Sequence, residues 1–159
     1  MNALSKTAAI LLALMASSLQ GAVPAQAMVM ANTIVVSNTG STNFIGYRML
    51  IVPSGQVSYV SGDGPGNSVL PRQLLRHLKR DIAAASPLSL LPQPAICMKP
   101  MSFGTSTFVA LGGERSPELT CPANRAARAV KNDVAKIVAF LRIRNVPHAS
   151  GTELPPQNF

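Results

Sequence analysis

Phe44-Ile45-Gly46-Tyr47-Arg48-Met49-Leu50-Ile51-Val52, Pro53-Ser54-Gly55 and Gln56-Val57-Ser58-Tyr59-Val60 read as two strands and the turn that joins them. Aromatic and β-branched side chains suit a pleated surface. Proline presets φ for a turn and glycine supplies positive φ without steric cost. The stretch therefore predicts an antiparallel hairpin. On its N-terminal side Thr33-Ile34-Val35-Val36-Ser37 is short and β-branched and predicts a first strand, with Asn38 to Asn43 as the connecting loop. On its C-terminal side Ser61-Gly62-Asp63-Gly64-Pro65-Gly66-Asn67 holds three glycines and a proline in seven positions, which predicts a mobile surface loop.

Further along, Pro71 opens a helix, a place where its missing N–H is harmless. Leu74, Leu75, Leu78, Ile82 and Ala85 fall on one face of that helix, and Arg72, Arg76, Lys79 and Arg80 fall on the other with Asp81 beside them. Ser86-Pro87 ends it, because the residue before a proline is driven out of helical geometry. Leu88 to Pro94 reads as an irregular, extended segment that delivers Cys97. Met101 to Leu111, Gly112-Gly113 and the residues that follow predict a second hairpin, whose return strand is edge or irregular because Pro117 cannot donate to a ladder. From Ala123 to Leu141, Ala127, Val130, Val134, Ile137, Val138 and Leu141 share a helical face, and Phe140 lies off it, read as packing on a neighbouring loop. The order strands, helix, hairpin, helix predicts an α+β fold: a small antiparallel sheet with two amphipathic helices on one face.

The chain has 159 residues, with 14 Lys and Arg against 6 Asp and Glu. Lys6, the apolar run Ala8 to Ala16 and the triplet Ala25-Gln26-Ala27 after Pro24 form the pattern of a Sec signal peptide over residues 1–27. Its apolar run is shorter than the roughly 20 residues a spanning helix needs. Export to the periplasm or medium is the expectation, with a single domain over 28–145 and a disordered tail over 146–159. Without Lys6 the mature chain carries 13 basic and 6 acidic residues, a formal +7. Cys97 and Cys121 are an even count in a chain sent to an oxidising compartment, and are expected to form a disulfide.

Groups for catalysis are scarce: two histidines and six carboxylates in all. His77 lies on a helix flank among arginines and reads as an ordinary surface residue. With His148 in the expected tail, no zinc set is formed. Gly104-Thr105-Ser106-Thr107-Phe108 begins like a nucleophile elbow, but the closing glycine is missing and the segment reads as a hairpin strand. Glu114 and Glu118 flank a turn and could approach one another, whereas Asp81 and Asp133 lie on separate helices. Gly62 to Gly66 lacks the Lys-Ser/Thr of a phosphate loop. No catalytic residue, cofactor or metal is expected.

Two stretches, Cys97-Met98-Lys99-Pro100-Met101-Ser102-Phe103-Gly104-Thr105-Ser106-Thr107-Phe108 and Arg115-Ser116-Pro117-Glu118-Leu119-Thr120-Cys121-Pro122, resemble small exported bacterial proteins of unknown function. That resemblance implies no activity. The order of elements is similar to that of emfourin-type inhibitors of thermolysin-like metalloproteases over nearly the whole mature domain. It carries over no inhibitory motif, and the disulfide here is a departure from it.

The leading expectation is a non-enzymatic binding protein that sets the basic helix face of Arg72, Arg76, Lys79 and Arg80 against an acidic protein, a glycan or an anionic membrane surface. Nucleic acid is disfavoured, because five Phe and two Tyr are dispersed and offer no stacking platform. The alternative is a secreted protease inhibitor acting through the Ser61–Asn67 loop or the Gly112-Gly113 hairpin. A small hydrolase comes third.

Overall fold

The computed structural model describes residues 32–99, 104–144 and 146–148. In chain order these residues form β1 (Ile34–Asn38), β2 (Phe44–Ile45), β3 (Tyr47–Ile51), β4 (Gln56–Ser61), β5 (Gly64–Val69), α1 (Arg72–Ala85), a 3-10 turn at Leu88–Leu90, β6 (Thr107–Leu111), β7 (Glu114–Arg115), α2 (Arg125–Phe140) and β8 (Val146–Pro147). Six strands make an antiparallel sheet in the order β5-β4-β3-β1-β6-β7, and β2 and β8 pair separately. The α+β expectation is met.

Alternation along the strands decides what the sheet buries. On β1, Ile34 and Val36 point inward while Val35 and Ser37 point out. Register extends this across the sheet: Ile34 faces Ile51, which faces Val57, and Val109 faces Val36, then Met49, then Tyr59. The two helices cover that face with Leu75, Leu78, Ile82 and Ala85 from α1 and Ala127, Val130, Val134 and Ile137 from α2. Leu78 and Ile137 are wholly buried, so cutting either to alanine should cost about 2–5 kcal/mol. The opposite face is uncovered by helix among the described residues and mixes Leu50, Val60 and Val69 with polar groups; Arg115 lies over the Phe108 ring at 4.1 Å.

Several boundaries differ from the sequence reading. Ser61–Asn67 is not a loop: Gly62 and Asp63 form a two-residue turn, and Gly64–Val69 pairs along all of β4. The physical reason lies across the strand, where Tyr59 lies so close over Gly66 that a Cβ there would run into its ring. The aromatic side chain supplies the packing surface that glycine lacks. Phe44 to Val52 splits at Gly46, whose Cα is pressed against the backbone of Asn38 and Gly40, so that Phe44–Ile45 leaves the main sheet. The expected tail begins ordered: Val146–Pro147 pairs with Phe44–Ile45, and His148 Nε2 donates to the Ser41 carbonyl at 3.0 Å. The His148 N–H also donates to the Asn43 carbonyl at 3.1 Å, so pairing with β2 holds a segment whose composition alone reads as disordered. Leu88–Leu90, read as extended, makes one 3-10 turn. Phe140 remains 44% exposed and does not join the core.

The helices start and stop as their termini dictate. Asn124 caps α2, its Oδ1 accepting from the Ala127 N–H at 2.8 Å. Cys97 and Cys121 are disulfide-bonded with Cα atoms 5.7 Å apart. Among the described residues no helix is long and apolar enough to cross a membrane. The expected signal peptide (1–27), the stretch Met101–Phe103 and the tail from residue 149 lie outside the described residues.

Candidate functional site

Arg72, Arg76, Lys79 and Arg80 are all exposed on the solvent side of α1. They do not act as one group. Lys79 is turned toward the β3–β4 turn, where its Nζ donates to the Pro53 carbonyl at 3.0 Å. Arg72 stands on the first turn of the helix. Arg76 and Arg80 are brought together with Gln73 and His77 around an open depression of about 460 Å³. The four side chains recur at i, i+3, i+4 and i+7, which places them on one stripe.

Arg80 is held on two sides. Its Nε donates to Asp81 Oδ1 at 2.8 Å, and its Nη2 approaches His77 Nδ1 at 3.1 Å. Guanidinium only donates, so Nδ1 accepts and the N–H of a neutral His77 ring is Nε2. The hydrogen bond that Arg80 donates to Asp81, together with the carboxylate's charge, raises the pKa of Arg80. The same hydrogen bond holds Asp81 below the usual carboxylate range; burial opposes it, and Asp133 and the charges of Arg80 and His77 reinforce it. The stripe thus presents N–H donors in fixed positions, the chemistry that receives a carboxylate, sulfate or phosphate oxygen.

Beneath it Asp133 is only 2% exposed on the face of α2 that meets α1. Its Oδ1 accepts from Lys136 Nζ at 3.0 Å, and its Oδ2 has no hydrogen-bond partner among the described residues. Asp81 and Asp133, on different helices, interact across the interface.

A second polar cluster lies near the disulfide. Lys99 Nζ donates to Ser106 Oγ at 2.8 Å and also to Glu118. Burial pushes the Glu118 carboxyl up, but hydrogen bonds with Lys99, Ser106 and Thr120 and the Lys99 charge outweigh it and hold the group below its usual range. A serine nucleophile needs a base that accepts its proton. Here Lys99 donates to Ser106, and the base beside the hydroxyl is Glu118, a carboxylate paired with Lys99 and held below its usual range, which makes it a weak acceptor for a serine proton. Glu114 is occupied elsewhere, Oε2 accepting from the Leu88 N–H at 2.9 Å. Among the described residues no three His, Cys, Asp or Glu side chains gather to hold a metal ion.

Arg76 and Arg80 lie on the exposed stripe that the helical spacing predicts; His77, read as an ordinary surface residue, meets Arg80, and Gln73 was left out. Their i, i+4 and i, i+7 relation to Gln73 and Arg80 was available in the sequence. The Lys99–Glu118 pair, nineteen positions apart across the disulfide, left no local signal. Comparison with known proteins matches no family model and no curated protein.

Proposed function

We propose that the protein is an exported, non-enzymatic binding domain whose basic α1 stripe engages an acidic partner through its oxyanions. The observation that carries this reading is the clamped Arg80 beside Arg76: its guanidinium is fixed by Asp81 and His77 before any partner arrives. A preorganised donor loses less freedom on binding than a free surface arginine. The excess of basic over acidic residues adds long-range attraction.

The test compares the protein with a variant carrying Arg72→Gln, Arg76→Gln, Lys79→Gln and Arg80→Gln. These side chains are exposed, so the variant should fold. Retention on immobilised heparin, binding to anionic against neutral vesicles, and recovery of secreted and envelope proteins are measured in parallel at two salt concentrations. Loss of one of these activities with the variant is expected, with the difference between the two proteins largest at low salt and shrinking as salt screens the stripe; equal binding by both proteins overturns the reading.

A further inference from the structure

Met98 is 91% exposed, the most exposed large apolar side chain among the described residues, and Ile96 two positions before it is 78% exposed. Such side chains on a flexible loop would fold inward or move freely. Here the residues on both sides of Met98 are fastened. Cys97 is bonded through its sulfur to Cys121, just ahead of α2. Lys99 is turned into the fold and donates to Ser106 and Glu118. Further back, Leu91 is buried, and Pro92 and Pro94 restrict the chain between.

The backbone of this segment is as open as its side chains. Residues 91–99 contain neither helix nor strand, and among the described residues no hydrogen bond engages the main chain from Pro92 to Lys99. Free N–H and C=O groups on a fastened, exposed segment are what a partner needs to add it as a strand. One protruding unbranched apolar side chain supplies the specificity element. Endopeptidase clefts bind in that way, pairing with the main chain and sorting by one side chain in a pocket.

We propose that Ile96–Lys99 is a docking loop for a serine endopeptidase with an apolar primary pocket, and that Met98 enters the pocket. The inference is independent of the basic α1 stripe. Serine endopeptidases select on the acyl side of the bond, and Met98 is the residue offered there because Lys99, on the leaving side, is turned into its own fold. The same anchors separate an inhibitor from a substrate. Addition of water across the Met98–Lys99 bond gives a carboxylate and an ammonium, yet the first end stays tied through Cys97 and the second through Lys99. The products remain in place, and the cleft stays occupied.

Purified oxidised protein is titrated against subtilisin, chymotrypsin and trypsin with chromogenic peptide substrates. Stoichiometric loss of activity is expected with at least one of the first two and not with trypsin. Met98→Asp should weaken inhibition at least about 100-fold, the scale of a central interface residue, with an unchanged circular dichroism spectrum and melting temperature. Met98→Lys should transfer inhibition to trypsin, and the four-site glutamine variant should inhibit as the parent does. The proposal is overturned if neither apolar-selective enzyme is inhibited, if Met98→Asp inhibits equally well, or if the bond is cut as fast as in a free peptide. Vesicle binding that depends on Met98, without inhibition, also overturns it and makes the loop a membrane contact.

Discussion

Replacing Asp133 with asparagine should stabilise the protein, although Asp133 is among its most buried residues. The carboxylate meets Asp81 at the α1–α2 interface, takes one hydrogen bond from Lys136, and leaves Oδ2 without a partner. A carboxylate taken into this interface loses its hydration, and the one hydrogen bond from Lys136 replaces only part of it. A buried polar atom without a partner costs about 1–3 kcal/mol. Asparagine keeps Oδ1 for Lys136, removes the buried charge and puts an N–H donor on the side chain that interacts with Asp81. Lys136 is mostly exposed, so weakening its ion pair forfeits at most about 1 kcal/mol. The net expectation is a gain of about 1–2 kcal/mol, which in a domain of this size raises the melting temperature by roughly 4–8 °C. Urea denaturation followed by circular dichroism should show a higher midpoint with the same slope. A midpoint equal to or below the parent's refutes the reasoning. The cycle with Asp81→Asn measures how much of the gain passes through Asp81, and Asp133→Asn should gain less in that background.

The disulfide closes a loop with a sequence separation of 24, for which chain entropy gives about 3.5 kcal/mol; Cys97→Ser with Cys121→Ser should lose most of that in urea denaturation, and a loss under 1 kcal/mol contradicts it. Glu118 is held below its usual carboxylate range when folded, so its contribution is complete above the unfolded value and disappears as pH falls through the folded one. Glu118→Gln should therefore cost about 1–2 kcal/mol at pH 7 and much less at pH 3, measured as the difference in urea midpoint between the two pH values; an equal cost at both would count against the Lys99 tie.

What was legible in the sequence was what periodicity controls. The β3–β4 hairpin, both helices and their buried faces follow from alternation and from the 3.6-residue repeat, since each element buries one side. β5 was not legible because its sequence, Gly64 to Val69, lacks strand-forming side chains and borrows its packing from Tyr59 on the neighbouring strand. β8 depends on Phe44 and Ile45, a hundred positions earlier, and no local pattern encodes that partner. Within the site, the stripe on α1 was visible as helical spacing. The burial of Asp133 was not, because its place on the helix wheel touches the core face, and only the packing of α1 against α2 decides whether water reaches it. Met98 was passed over for a related reason: its exposure results from anchors at Cys97 and Lys99 whose partners lie far along the chain.

The register of β1 gives the molecule two ends. Ile34 starts the strand opposite Ile51, whereas Asn38 finishes it opposite Thr107. The Thr39 N–H then donates to the Ser106 carbonyl at 2.9 Å, at the residue to which Lys99 is tied. With a rise of about 3.3 Å per residue, the chain ahead of Ile34 enters on the order of 13 Å from the end that carries Met98. β8, paired with β2 just past Asn38, places His148 at that same end of β1. A support, carrier or surface joined directly ahead of Ile34 therefore holds the molecule with its docking loop facing outward, while one joined directly at His148 crowds it.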